Sequence, residues 1–271
     1  MATPALILIH GYPFDHTLWD YVVGPLRKVT TVLTPDLPGF GGQPVLPTDP
    51  SIDVMADEIA KLFVNEHMDR AVIVGMSMGG YVALSLAERY RHRLAGLGLI
   101  STQAVADTVE ARQQRQEMIE KVRAEGPTSA AQAAINKLFA PGNRDNSTFR
   151  EFPEKGARRA GTEGIIWALQ AMANRPDRSA LLQHIHFPTL VVHGTEDQFI
   201  PVERARQMSG VIPDCEYAEI SGAGHAIPLE SPEPLIEELL GLLDRAEAAE
   251  PHLEGLLNRP GVVISPTDQG L

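Results

Sequence analysis

Apolar residues occur along this chain in short continuous runs, and segments with helical periodicity separate these runs. Such runs are typical of parallel strands that are buried on both faces. They predict strands at Ala5–Ile9, 31–34, 71–74, Leu94–Ile100, 189–192 and Cys215–Ile220. Apolar residues at helical spacing and capping residues predict helices over 52–66, 78–90, Val202–Ser209 and about 232–245. Strands that alternate with helices favour an α/β fold with a mainly parallel sheet of about six strands.

The pattern changes between residues 103 and 185, where no strand is predicted. This segment indicates several helices broken by Gly126-Pro127, Pro141-Gly142, Pro153 and Pro176. A segment of about 80 residues is too long for a connecting loop, so we expect a helical cap over one end of the sheet. The predicted organisation is therefore an α/β core at 1–102 and 186–249, a cap at 103–185, and a tail at 250–271 without clear periodicity.

Gly75-Met76-Ser77-Met78-Gly79 lies between a predicted buried strand and a predicted helix. A G-x-S-x-G sequence in this setting places its serine in a sharp turn, and the flanking glycines leave room for the cramped backbone. The N–H groups at the start of the helix then face negative charge that develops beside Ser77 Oγ. The motif predicts a nucleophile; a glycine-rich turn without chemistry is the alternative.

A serine nucleophile needs a base to take its proton and a third group to orient that base. In an open α/β sheet these groups belong in loops at the carboxyl ends of strands. Asp197 follows the fifth predicted strand, and His225 follows the sixth in a glycine-rich loop. We interpret Asp197 as the orienting acid and His225 as the base. Glu196 is the rival acid, and Asp197 could instead be a turn residue.

The oxygen that becomes negative during acyl transfer needs two preorganised N–H donors. One is expected from the backbone of Met78, directly after the nucleophile, and the other from the backbone of Tyr12 in the loop after the first strand. The Tyr12 hydroxyl is not required for this role, and packing in a turn is the alternative.

Composition and charge argue against several other classes of protein. The 271-residue chain has a net charge of −12 and a pI near 5.2, which argues against nucleic acid or an anionic membrane surface as a partner. The lone cysteine, Cys215, excludes an intrachain disulfide and fits a reducing compartment. No run approaches the ~20 apolar residues of a membrane helix, and the N-terminus lacks a signal-peptide pattern. We therefore expect a soluble, cytoplasmic protein.

The remaining histidines offer little further chemistry. His10 and His193 precede glycines at strand ends and are interpreted as structural. His184-x-His186 is the only pair with metal-ligand spacing, and this signal is weak, so no metal site is expected.

Taken together, these motifs resemble the α/β-hydrolase superfamily. The segments that carry the resemblance are His10-Gly11-Tyr12-Pro13, Asp36-Leu37-Pro38-Gly39-Phe40-Gly41, the Ser77 turn, Gly194-Thr195-Glu196-Asp197 and Gly222-Ala223-Gly224-His225. Within the superfamily the chain resembles the carboxylesterase, enol-lactone hydrolase and cofactor-free haloperoxidase (perhydrolase) group. The resemblance implies Ser77 as nucleophile, His225 as base, Asp197 as acid, Tyr12 and Met78 as oxyanion donors, and no cofactor. Because only four residues precede the first strand, the usual N-terminal hairpin is expected to be missing.

The resemblance implies a serine carboxylesterase that acts on a small apolar ester or lactone through an acyl-enzyme on Ser77, as a monomer or homodimer. Enol-lactone hydrolysis and perhydrolysis use the same residues, and a non-catalytic ligand receptor on this fold is a further alternative. No polar residue of the cap singles out a charged substrate. Candidate pocket walls, for each of which core packing is an equal alternative, are Trp19, Met76, Phe139, Trp167 and Met172.

Overall fold

The computed structural model describes the backbone of residues 3–257 and the side chains of residues 3–249. These residues form a six-stranded sheet in which every pairing is parallel. The α/β architecture and the strand number agree with the sequence prediction. The strands are β1 Ala5–Ile9, β2 Val32–Leu33, β3 Ala71–Met76, β4 Leu94–Ile100, β5 Thr189–Gly194 and β6 Cys215–Ile220. Their order across the sheet is β2-β1-β3-β4-β5-β6.

The strand register brings the functional loops together. Ile9 at the end of β1 pairs with Gly75 of β3, and Ile100 of β4 pairs with Val192 of β5. Because the strands are parallel, their carboxyl ends meet at one edge of the sheet, where ligands bind in open α/β folds. The turns after β1, β3, β5 and β6, which carry the predicted site residues, therefore share this edge.

Helices cover both faces of the sheet. Alternate residues of β1 enter different hydrophobic clusters: Ile7 and Ile9 pack with the helices at 52–65 and 78–89, whereas Leu6 and Leu8 pack with those at 20–26 and 232–257. A strand with two buried faces is continuously apolar, which explains the runs in the sequence. These helices are α1 Asp20–Leu26, α2 Ile52–Asn65, α3 Met78–Arg89 and α9 Pro232–Leu257, with α7 Val202–Ser209 beside β5 and β6 and the short α8 Ile227–Glu230 before α9.

Every element between β4 and β5 is helical, as predicted. The helices α4 Val109–Glu125, α5 Thr128–Leu138 and α6 Ser147–Ala173 pack on one another, and two short 3₁₀ helices follow α5 and α6. Pro153 does not separate two helices but lies inside α6. The interruption comes instead at Gly161, whose φ of 65° is a conformation that glycine adopts readily. We call residues 103–185 the helical insertion.

The last helix continues beyond its predicted end at Arg245 and reaches Leu257. The residues that follow Arg245 are Ala246-Glu247-Ala248-Ala249, which are strong helix formers, so propensity favours continuation. The predicted tail therefore begins within this helix, and its part from residue 258 onward lies outside the described residues. Of the helices in residues 3–257, none combines the length and apolar character that a bilayer crossing requires.

Candidate active site

Ser77 occupies the turn between β3 and α3 in a strained conformation, with φ 54° and ψ −113°. This left-handed φ is rare for a residue with a side chain and is stabilised here by its surroundings. The Ser77 N–H donates to Ile100 O at 2.9 Å, and Thr102 Oγ1 donates to Ser77 O at 2.8 Å. A Cβ atom on Gly75 would lie 2.1 Å from Gly79 O, and one on Gly79 would lie 2.2 Å from Ile9 O. The two flanking glycines are thus required by close backbone contacts.

His225 and Asp197 form a buried pair at the same edge of the sheet. His225 Nδ1 lies 2.7 Å from Asp197 Oδ2, and the side chains are 3% and 0% exposed. Asp197 Oδ1 also accepts the N–H groups of Phe199 at 2.8 Å and Ile200 at 3.1 Å. Burial alone raises the pKa of Asp197, but the charge and hydrogen bond of His225 and the backbone donors outweigh it, so this pKa is lowered.

The contacts around this pair distinguish Asp197 from its neighbour. Glu196 is exposed, and its backbone N–H donates to Ala223 O. His193 is buried behind the pair; its Nε2 donates to Ile200 O at 2.9 Å and lies 3.4 Å from Asp197 Oδ2. Burial lowers the pKa of His193, which keeps this ring neutral at pH 7. Among these groups Asp197 is therefore the carboxylate that binds His225.

The loop that carries His225 is fastened to the helical insertion. The N–H groups of His225 and Ala226 both donate to Leu138 O, at 3.1 and 3.0 Å. Glu230 accepts from Gly224 N at 3.0 Å, and across the boundary from Ala140 N at 2.8 Å and Asn143 Nδ2 at 2.9 Å. The insertion and the histidine loop are thus held as one unit.

A cavity of about 360 Å³ lies between the sheet edge and the insertion. Ser77 and His225 line it from the core, and α4, α5 and α6 supply most of the remaining wall. Two neighbouring polar residues of this wall, Asp107 and Arg115, were not singled out from the sequence. The other lining residues are Tyr12, Tyr81, Gln103, Ala111, Gln114, Met118, Ala130, Ala133, Ala134, Lys137, Leu138, Leu169, Met172, Phe199 and Ile200.

Of the five residues expected to form pocket walls, only Met172 lies in the wall of this cavity. Trp19, Met76 and Phe139 are fully buried. They belong to the hydrophobic cluster between the sheet and the helices α1 and α9. Trp167 is 6% exposed and packs in the cluster on the other face. For these four residues the structure shows core packing.

The two expected oxyanion donors lie beside Ser77. Met78 is the first residue of α3, so its N–H has no carbonyl one turn earlier to bind. Tyr12 follows Gly11, and a Cβ atom added to Gly11 would lie 3.2 Å from the Cβ atom of Ser77. Tyr12 also lines the cavity, which places its turn next to the serine.

Within residues 3–249, one group of side chains has the composition and spacing of a metal site. Ligand atoms of Asp15, His16 and Asp36 lie within 4.8 Å of one another. These atoms already have partners: His16 Nδ1 lies 2.8 Å from Asp36 Oδ2, and Arg159 binds Asp15 Oδ2 at 2.5 Å. The group is accordingly a set of side chains that already bind one another or Arg159, and the Asp15–Arg159 ion pair joins the core to the insertion. The exposed pair His184 and His186 does not belong to it.

Comparison with known proteins places this geometry among hydrolases. The chain is 29% identical to the pimeloyl-(acyl-carrier protein) methyl ester esterase of Aromatoleum aromaticum over 89% of this chain and 99% of that protein. It is 30% identical to the biotin biosynthesis bifunctional protein BioHC of Cellvibrio japonicus over 87% of this chain, but spans only 47% of that longer protein. A thermophilic esterase from Thermogutta terrifontis, solved with malate bound, has a TM-score of 0.86 and 36% identity, covering 90% of this chain and 91% of that one.

A family model described as the alpha/beta hydrolase fold matches residues 4–232, which include β1 to β6, the serine turn and the histidine loop. The match agrees with the parallel sheet and confirms the resemblance inferred from the motifs. The chain belongs to the α/β-hydrolase family.

Proposed function

We propose that this hydrolase-family protein cleaves carboxylic esters, with Ser77 as nucleophile, His225 as general base and Asp197 as the acid that orients the base. One observation carries the proposal. The strained Ser77 turn and His225, which is itself bound by Asp197, line the same cavity. The names of two relatives that cover most of this chain, both esterases, support an ester as substrate.

The hydrogen bond to Asp197 determines which nitrogen of His225 acts as base. An ionised carboxylate only accepts hydrogen bonds, so Nδ1 of His225 carries the proton in the 2.7 Å contact. In the neutral ring, Nε2 is then free to accept the proton of the Ser77 hydroxyl as Oγ attacks the ester carbonyl. The imidazolium that forms is stabilised by Asp197, whose lowered pKa keeps it ionised at neutral pH. His225 returns the proton to the leaving alcohol and later activates the water that releases the acid.

Negative charge on the carbonyl oxygen would be met by the N–H groups of Tyr12 and Met78. The Met78 group also lies at the positive end of the α3 dipole. Removal of one such donor in other hydrolases costs about 10²–10³ in kcat. We further infer that the helical insertion acts as a cap, because its helices form most of the cavity wall above Ser77.

The proposal is tested by turnover of short-chain p-nitrophenyl esters and by labelling with a fluorophosphonate, with the adduct mapped by mass spectrometry. We expect hydrolysis, a single adduct at Ser77, and loss of both in Ser77→Ala. The matched control is Ser209→Ala, a half-buried serine at the end of α7 that does not line the cavity. Absence of turnover and of a Ser77 adduct would overturn the proposal. An adduct at Ser77 without ester turnover would also overturn the esterase assignment, and would point to a different substrate class.

A further inference from the structure

One part of the cavity wall is polar, in contrast to the mostly apolar residues that α5 and α6 contribute. Arg115 enters the wall from α4, Asp107 lies just before α4, and Tyr12 comes from the turn after β1. The side chain of Arg115 is 21% exposed, whereas that of Asp107 is 3% exposed. Charged groups in so buried a place cost stability unless they are paired. Their hydrogen-bond partners therefore reveal which of them is left to bind a ligand.

The guanidinium of Arg115 is only partly satisfied. Its Nε donates to Asp107 Oδ2 at 2.5 Å, and its Nη2 lies 3.4 Å from Asp107 Oδ1. Its Nη1 faces Met172 Sδ at 3.4 Å. A thioether sulfur is a weak acceptor, so within residues 3–249 this nitrogen has no oxygen partner of the kind that a guanidinium ordinarily has. Met172 and Arg115 both line the cavity, so an oxygen of a ligand would be the better acceptor.

The charges in this region do not cancel. Asp107 also accepts a hydrogen bond from Arg175 Nη1 at 2.5 Å. One buried carboxylate therefore pairs with two guanidinium groups, those of Arg115 and Arg175. The Arg175 side chain is 2% exposed and stacks on the Tyr81 ring with its guanidinium carbon 4.1 Å from the ring centre. Asp177, two residues after Arg175, is exposed and accepts hydrogen bonds from Ser179 N and Ala106 N. Lys137 adds a further positive charge to the cavity wall. The lining residues thus carry an excess of positive charge.

The hydroxyl of Tyr12 supplies an independent observation. Its oxygen is buried and has no hydrogen-bond partner in the described part of the chain. Burial raises the pKa of this hydroxyl above its usual range, although the charge of Arg115 partly offsets the rise, so the group stays a neutral donor. Buried polar atoms are rarely left unpaired, and because Tyr12 lines the cavity, an oxygen of a ligand bound there would satisfy this donor. No role for this hydroxyl is predicted from the residues around it in the sequence.

We propose that Tyr12 Oη and Arg115 form a subsite for a carboxylate group, so that the preferred substrate is an ester or lactone that also carries a free acid. The proposal rests on the function proposed above and names its substrate class. It replaces the expectation that nothing polar in the insertion selects a charged substrate. A carboxylate would accept hydrogen bonds from both groups and neutralise the excess charge.

The test compares substrates that differ only in charge. In the first arm, kcat/KM is measured by acid release for monomethyl adipate and for the same ester with a carboxamide in place of its free acid. In the second arm, the acid is on the alcohol side, with O-acetyl glycolate and its amide. We expect the acid to be preferred in at least one arm by about tenfold or more, as a charge-assisted hydrogen bond implies. Arg115→Gln should bring that ratio to about one, and Tyr12→Phe should lower it.

The controls separate this proposal from the proposed function. Arg112→Gln changes an exposed arginine on the same helix and should leave the ratio unchanged. Tyr12→Phe removes an unpaired hydroxyl and keeps the backbone donor, so it carries the test if Arg115→Gln fails to fold. Ratios near one or below in both arms, or ratios that neither Arg115→Gln nor Tyr12→Phe alters, would overturn the subsite. Turnover of p-nitrophenyl butyrate with such ratios would leave the esterase assignment standing, whereas loss of all ester turnover would remove both.

Discussion

Glu230 joins the His225 loop to the helical insertion, and its replacement should affect both stability and activity. Its carboxylate accepts from Gly224 N, Ala140 N and Asn143 Nδ2 at 2.8–3.0 Å. Gly224 directly precedes His225, so this carboxylate fixes the peptide that carries the proposed base. We expect Glu230→Ala to leave two buried backbone donors unpaired, while the half-buried Asn143 can turn to water.

The size of the effect follows from these contacts. Each buried donor without a partner costs about 1–3 kcal/mol, which gives about 2–6 kcal/mol for Gly224 N and Ala140 N together. The cost of burying an ionised carboxyl is relieved at the same time. That cost is real, because burial raises the pKa of Glu230 even though its hydrogen bonds lower it. We therefore expect a net loss of about 2–4 kcal/mol in the free energy of unfolding.

Urea denaturation and steady-state kinetics measure the two consequences. Glu230→Ala should shift the unfolding midpoint downward and lower kcat by about tenfold or more, because a misplacement of a reacting group by about 1 Å can cost as much as 10²-fold in rate. Glu230→Gln keeps the size and one acceptor oxygen and should recover part of both losses. Glu237→Ala, an exposed acid on α9, should change stability by less than about 0.5 kcal/mol. A Glu230→Ala protein with the stability and kcat of the wild type would refute the reasoning.

The raised pKa of Glu230 adds a pH dependence with a definite sign. The folded state binds this proton more tightly than the unfolded state, in which the group titrates near its ordinary value of 4.5. Stability from this group is therefore fully present below 4.5 and is lost as pH rises through the raised value. The stability difference between wild type and Glu230→Gln should accordingly grow as pH falls from neutrality, and a difference that shrinks would contradict the assignment.

Two further predictions concern the acid and the serine turn. Asp197→Asn should lower kcat by about 10³–10⁴ because it removes the partner of His225 Nδ1, whereas Glu196→Gln, at an exposed side chain, should change kcat little; equal losses in the two variants would undo the assignment. Gly79→Ala should destabilise by ~3 kcal/mol or more, since its Cβ would meet Ile9 O at 2.2 Å. Gly241→Ala, in open space on α9, should instead stabilise by about 0.5–1 kcal/mol. Thermal melts that rank the two glycine variants in the reverse order would contradict this reading of the turn.

The strands and the serine turn could be predicted because their signals are local. A strand buried on both faces is apolar without interruption, and a backbone as tight as that at Ser77 leaves room only for glycine on either side. The parallel sheet then places the carboxyl ends of β3, β5 and β6 at one edge, so Asp197 and His225 could be paired from topology alone. Even so, nothing local separated Asp197 from Glu196; the 2.7 Å contact with His225 does.

The cavity wall could not be predicted, because it depends on how the insertion packs. Large apolar residues such as Trp19 and Phe139 serve a core or a pocket equally well in sequence, and here they serve the core. Arg115 lies in a helix that is polar on most sides, with Ile119 and Val122 as its buried residues. The sequence around Arg115 does not distinguish it from the exposed Arg112 on the same helix. Only the packing of the helix reveals which of the two arginines faces the cavity.

The end of α5 and the helix α4 differ in their contacts with the His225 loop, and this difference suggests where substrate preference can change. Leu138 at the end of α5 lines the cavity and also holds the His225 loop through its carbonyl, so movement of this segment would displace the proposed base. No hydrogen bond joins α4 to the His225 loop in the described part of the chain. The Arg115 side chain, for example, donates to Asp107 and to Met172. Substitutions at the cavity-facing positions of α4 should therefore alter the wall with less effect on the proton-transfer geometry than movement of Leu138. We expect α4 to set which acyl or alcohol group is accepted, and the end of α5 to be constrained by the chemistry.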